Sequence, residues 1–174
     1  MTTFVALLRG INVGGKRMLP MRDLTALFTK AGAKDVRTYL QSGNVVFDAK
    51  AYGPVIERVR GAIETQFGFD VPLVVRSAAA LGAVVSSSPF EDVEHAHLVF
   101  LADPPTAAQV KALDPKRSSP DRFVVRGNDV FLHLPNGVAR TKLSNAWFDS
   151  QLKTVSTVRN WKTVLELVRL SAAA

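Results

Sequence analysis

The sequence predicts an α+β protein of two ferredoxin-like halves, each of the βαββαβ type with an antiparallel sheet, followed by an extra C-terminal helix. Three observations carry that reading. Over residues 3–76 the hydrophobic pattern alternates between the two structural periods in the order strand, helix, strand, strand, helix, strand. From residue 97 the order strand, helix, strand, strand, helix returns with little sequence identity, as an internal structural duplication would. In each half the two middle strands flank a two-residue turn signal, Ser42-Gly43 in the first and Gly127-Asn128 in the second.

The first strand is the run Phe4-Val5-Ala6-Leu7-Leu8, whose lack of polar alternation fits a strand buried on both faces and therefore central in its sheet. The loop after it holds Gly10, Gly14 and Gly15 between Arg9 and Lys16, giving free backbone conformation bracketed by positive charge. Gly10 to Lys16 spells G-x-x-x-x-G-K, but Arg17 follows where a phosphate-binding P-loop needs Ser or Thr for magnesium. Pro20 also sets the helix start beyond four non-helical residues, which further disfavours a nucleoside triphosphatase.

The first helix is predicted over 20–31, with Leu24, Leu27, Phe28 and Ala31 on one face and Gly32 as its stop. Residues 36–48 read as a hairpin, Pro54 to Gly68 as a helix burying Ile56, Val59, Ile63 and Phe67, and 71–76 as the closing strand. Residues 1–76 thus form the first half, and 77–89 a helix capped by Ser77 with a Ser-Ser-Ser-Pro linker. The second half, 90–174, holds a buried-type strand at 97–102 and a short helix capped by Thr106. A hairpin at 122–134 follows, then a helix at 141–152 carrying Leu143, Ala146, Trp147 and Leu152. The last helix, 160–170, aligns Trp161, Val164, Leu165 and Val168.

With 174 residues, 47% of them hydrophobic, the chain can build a real core. It has no cysteine, which excludes disulfides, thiolate catalysis and cysteine metal sites. No apolar run approaches the ~20 residues of a membrane span, so a cytoplasmic protein with no membrane partner is expected. The net charge is +7 and is concentrated at the ends. Residues 1–47 hold seven Lys and Arg against two Asp, a surplus of five; residues 133–174 hold six against Asp149 and Glu166, a surplus of four. Such a surface attracts anions, although solvated Lys and Arg also serve solubility alone.

Polar clusters mark three further places: Gln41-Ser42-Gly43-Asn44, the run 140–145, and the run 157–161. The strings ALLRGINVGGK at 6–16, PM at 20–21, VRTYLQSGNVVF at 36–47, NGVARTKLSNA at 136–146 and TVRNWKTV at 157–164 span most of the chain. In them the sequence resembles a large, mostly bacterial domain family of unknown function that opens on ALLRGINVGG. The resemblance implies a two-part α+β protein with ferredoxin-like units and implies no activity or cofactor. One departure is Ala139, where the family commonly has glycine before the Arg of the Arg-Ser/Thr-Lys-Leu segment.

The candidate binding residues are accordingly Arg9, Asn12, Gly14, Gly15, Lys16, Ser42, Asn44, Arg140, Lys142, Asn145, Arg159 and Asn160. They are rich in donors and contain no carboxylate, so together they would recognise phosphate or carboxylate oxygens. The competing reading is that Arg and Asn brace loops by bonding backbone carbonyls. No catalytic residue is assigned, since nucleophile and base are missing from these motifs; Asp48 and Asp149 are the nearest carboxylates. His95 and His97 stand two apart without a third ligand nearby, and His133 reads as a strand residue, so no metal and no cofactor is expected. Open-sheet RNA readout is disfavoured, because the strand Asn44 to Phe47 has one aromatic and no basic residue. The expected function is binding of an anionic small molecule, nucleotide-like or phosphate-bearing, or of a nucleic-acid backbone, by a monomer or weak dimer. The alternatives are an enzyme acting on a phosphorylated or nucleotide substrate, and a protein-interaction scaffold whose motifs are structural.

Overall fold

The first sheet is laid around strand β1, Thr2–Leu8, in the computed structural model, which describes residues 1–172. The chain continues through α1 (Met21–Lys30), β2 (Lys34–Tyr39), β3 (Asn44–Ala49), α2 (Tyr52–Phe67), β4 (Leu73–Ser77) and α3 (Ala78–Ser86). It then forms β5 (Ala96–Leu101), α4 (Ala107–Lys111), β6 (Arg122–Arg126), β7 (Asp129–His133), α5 (Asn145–Leu152), β8 (Ser156–Asn160) and α6 (Trp161–Ala172). The two sheets have the orders β2-β3-β1-β4 and β6-β7-β5-β8, antiparallel throughout. The α+β class and the two ferredoxin-like halves are therefore as the sequence predicts. By contacts the chain divides into one unit of residues 1–82 joined by the segment from Leu167, and a second unit of residues 83–166.

In the first unit β1 is central, pairing Val5 with Val46 of β3 and with Arg76 of β4. Phe4, Ala6 and Leu8 face a core completed by Leu24 and Phe28 of α1 and Val59 and Ile63 of α2. Val5 and Leu7, on the opposite face, are fully inaccessible as well, which is why the run has no polar alternation. Burial of each such side chain contributes about 1.5–3 kcal/mol. Pro20 is the residue before α1 and Gly68 closes α2 in the left-handed conformation. α2 starts two residues ahead of Pro54, because a proline within the first turn removes only an N–H that has no helical partner. The β2–β3 connection is a four-residue turn, 40–43, rather than the two-residue turn expected: the ladder closes at Tyr39 and Asn44, and Leu40 and Gly43 both take positive φ.

The second unit repeats the plan around β5, whose Val99 and Leu101 pack with Val130 and Leu132 of β7 and with Phe148 and Leu152 of α5. Gly127-Asn128 is the predicted two-residue turn, joining the pair Arg126 and Asp129. Thr106 and Gln109 form a full capping box on α4. Two expectations are corrected here. The α5 helix begins at Asn145 rather than 141, since Ser144 is its cap and accepts the Trp147 N–H at 3.2 Å, while Val138–Arg140 form a 3-10 turn. Residues 156–160, read as the approach to a helix, are the eighth strand β8, which completes the second βαββαβ set by pairing with β5.

The last strands of the two halves end alike. Arg76 donates to the Val75 carbonyl at 3.1 Å and Arg159 to the Val158 carbonyl at 2.9 Å. The next residue caps the following helix in each case: Ser77 Oγ accepts the Ala80 N–H at 3.1 Å, and Asn160 Oδ1 the Thr163 N–H at 2.8 Å. Among the described residues no helix is long and apolar enough to cross a membrane.

Candidate functional site

The glycine loop after β1 is a miniature hairpin. The Asn12 N–H donates to the Arg17 carbonyl and the Lys16 N–H to the Val13 carbonyl, both at 3.1 Å, and Val13 and Lys16 form a bridge. Gly14 (φ 61°) and Gly15 (φ 71°) are its two turn residues, and the paired positive φ is the reason both are glycine. Asn12 is spent on the same construction. Its Nδ2 donates to the carbonyls of Leu19 at 2.9 Å and Gln41 at 2.8 Å, and its Oδ1 accepts the Leu19 N–H at 2.7 Å. This one amide therefore ties the glycine loop to the β2–β3 turn.

That turn has its own brace. Asn44, fully buried, donates from Nδ2 to the Tyr39 carbonyl at 2.7 Å and to Ser42 Oγ at 3.2 Å. The half-buried Arg9 is anchored through its backbone N–H, which donates to the Pro72 carbonyl at 2.9 Å. Arg17 donates to the Asp70 carbonyl and lies over the Phe69 ring, 5.1 Å from its centre. Arg9, Asn12, Gly14, Gly15, Lys16, Ser42 and Asn44 thus gather in two adjoining loops at the C-terminal end of β1. Of them, Lys16 has an exposed ammonium with no partner among the described residues.

The candidates of the second unit do not form one cluster. Arg140 and Lys142 are exposed, and neither side chain pairs with a described residue, although the Lys142 backbone is held by Ser118 Oγ at 2.9 Å. Asn145 Oδ1 accepts from Ser156 Oγ at 3.1 Å, at the start of β8. Asn160 ends the same strand, roughly 13 Å away for four residues of extended chain. Arg159 is buried, donates to Thr157 Oγ1 at 2.8 Å, and has its pKa pushed down to about 10 by that burial. The two carboxylates also have structural employment: Asp149 Oδ1 accepts from Ser156 N and Oγ at 2.8 and 2.6 Å, and Asp48 Oδ1 from Thr3 Oγ1 at 2.6 Å. A hollow of about 380 Å³ beside α2 is lined by residues that include Arg60, Glu64 and Asp70 and by none of the twelve candidates. There the Arg60 guanidinium grips the Asp70 carboxylate at 2.8 Å and holds it below its ordinary pKa.

One constellation escaped the sequence reading. His95 is partnered by Asp92 and His133 rather than by His97: Asp92 Oδ2 lies 2.9 Å from both His95 Nδ1 and His133 Nε2. Hydrogen bonds from His133 and His95 pull the Asp92 carboxyl down to about 2, and Asp92 in turn raises His95. His97 goes the other way, lowered by burial. The signal that could have found the group is pairing of β5 with β7, which sets Ala96 opposite His133 and so brings it beside His95.

The family model described as "Protein of unknown function (DUF1697)" matches residues 1–131. Among solved structures, the conserved bacterial protein SP0830 from Streptococcus pneumoniae is similar, with a TM-score of 0.70 and 22% identity over 97% of each chain. At that identity the likeness bears on the fold alone. No curated protein matches the chain.

Proposed function

Because the chain belongs to the family described as protein of unknown function (DUF1697), a premise that brings no activity with it, we propose that it binds an extended polyanion, a nucleic-acid backbone, through exposed loop cations. The observation that carries this reading is a division among the twelve candidates. Asn12, Ser42, Asn44, Asn145, Arg159 and Asn160 bond other parts of the chain, whereas the side chains of Lys16, Arg140 and Lys142 stand exposed without a partner among the described residues. A pocket for one small nucleotide needs convergent donors held away from water, and the amide N–H groups of Asn12 and Asn44 already have acceptors within the chain. Exposed Lys and Arg suit a different task, since they contact phosphates at low desolvation cost and release counterions when they do. The net charge of +7 works in the same direction. The occupied carboxylates Asp48 and Asp149 lend an enzymatic reading no support.

Fluorescence anisotropy with short duplexes of unrelated sequence tests the proposal. Arg140→Ala and Lys142→Ala should each weaken binding equally on every sequence and each reduce the salt slope by about one, and Lys16→Ala should do the same to binding by the first unit. Saturable binding of a single nucleotide, insensitive to salt and to these three changes, would replace the polyanion with a pocket ligand.

A further inference from the structure

We propose that Asp92, His95 and His133 form a binding site for a first-row divalent metal ion of the Zn²⁺ type. One donor atom of each residue lies within 4.8 Å of those of the other two, and Asp92 Oδ2 is 2.9 Å from both His95 Nδ1 and His133 Nε2. Around a tetrahedral Zn²⁺ with bonds of about 2.0–2.1 Å, neighbouring ligand atoms stand about 3.3 Å apart. The two Asp–His separations of 2.9 Å need only open by a few tenths of an ångström, within reach of the exposed Asp92 and His95 side chains.

The frame behind the donors is rigid. His133 is the last residue of β7, opposite Ala96 of β5, and the next backbone bond runs from the Leu134 N–H to the His95 carbonyl at 2.9 Å. The two imidazoles are therefore set by one sheet ladder, and Asp92 by the turn immediately before it. No lysine or arginine pairs with Asp92 among the described residues, so its charge is directed at the two rings. Arg122, opposite His133 on β6, is drawn instead over the Phe90 ring at 5.1 Å.

The donor set is two nitrogens and one oxygen, which suits Zn²⁺, Co²⁺ or Ni²⁺ and leaves at least one coordination position for water or a ligand. Asp92 and His95 are accessible, so the ion has a path in. On the far side His133 Nδ1 is buried without a hydrogen-bond partner among the described residues. An imidazole not held from behind binds metal about 10–100-fold more weakly than one that is, so the site is exchangeable rather than a permanent structural centre.

The test uses full-length protein stripped by chelator, titrated with Zn²⁺ in a calorimeter and with Co²⁺ in the visible spectrum. One equivalent should bind, with d–d bands showing nitrogen and oxygen ligation. Asp92→Asn and His95→Gln, both at accessible positions, should each lower affinity by at least about 100-fold, the upper end of what an outer hydrogen bond contributes. His133→Gln should do the same, and His97→Gln should leave binding intact. Absence of saturable binding in the unaltered chain would overturn the assignment, and so would Zn²⁺ affinity that survives both Asp92→Asn and His95→Gln.

Discussion

The turns that close the two central hairpins show how one scaffold is made to do different things. In the second unit Gly127 has φ +60° and nothing within 4 Å of the place a Cβ would occupy, so its glycine answers only to backbone conformation. In the first unit Gly43 has φ +91° and a Cβ there would lie 2.8 Å from Ile11 Cδ1 and 2.9 Å from Leu8 Cβ. Its carbonyl also accepts the Leu8 N–H at 2.8 Å. The first turn is pressed down on the glycine loop and the second stands clear. Strand order and the Val-Arg-cap ending are common to both units, so the repeated part is scaffold and the individual part lies in the connections.

The sharpest way to break this comparison is to add a methyl group to each turn. Gly43→Ala combines left-handed strain with overpacking and should destabilise the first unit by about 3 kcal/mol, whereas Gly127→Ala meets the backbone term alone, about 1 kcal/mol. Urea midpoints check both values. Trp147 and Trp161 both fall in the second unit, so their emission follows that unit and circular dichroism follows the two together. Equal losses at the two turns would erase the distinction.

Within the glycine loop, Asn12 and Lys16 set structure against function. Asn12→Ala removes three hydrogen bonds to a partly buried turn and should cost about 2 kcal/mol. Lys16→Ala touches no described partner and should leave the melting temperature within the experimental error while weakening polyanion binding. Should Asn12→Ala keep full stability and lose binding, the amide would belong to the site after all.

The smallest effect concerns acid. Asp70 has its folded pKa held below the ordinary 3.8 by Arg60, so the pair supports the first unit above pH 3.8 and loses that support as pH falls through the lowered value. The carboxylate is more than half exposed, and after solvent screening the contribution is about 0.5 kcal/mol or less. Asp70→Asn should flatten the first unit's stability by that amount as the pH falls below about 3.8, read from acid titration of the circular dichroism signal.

Much of the fold was legible because local signals agreed with the global plan. β1 announced its central place by an unbroken apolar run, Gly127-Asn128 its turn, and Thr106 its cap. β8 was not legible, because its buried side chains on one face are Thr157 and Arg159, which carry no hydrophobic alternation. The clue lay in the repeat: Leu73-Val74-Val75-Arg76-Ser77 of β4 is matched by Ser156-Thr157-Val158-Arg159-Asn160. At the site, the side chains of Asn12 and Asn44 bond backbone carbonyls, whose positions no local sequence displays. Asp92 and His133 lie 41 residues apart, and only strand pairing makes them neighbours.

The most direct measurement is the salt dependence of binding to an arbitrary duplex by the unaltered protein. The two neighbouring cations of the second unit, Arg140 and Lys142, predict that the logarithm of the association constant falls against the logarithm of salt concentration with a slope of about −1.8. A slope near zero, or no binding at the lowest salt, would contradict the reading of these exposed loop cations as polyanion-binding.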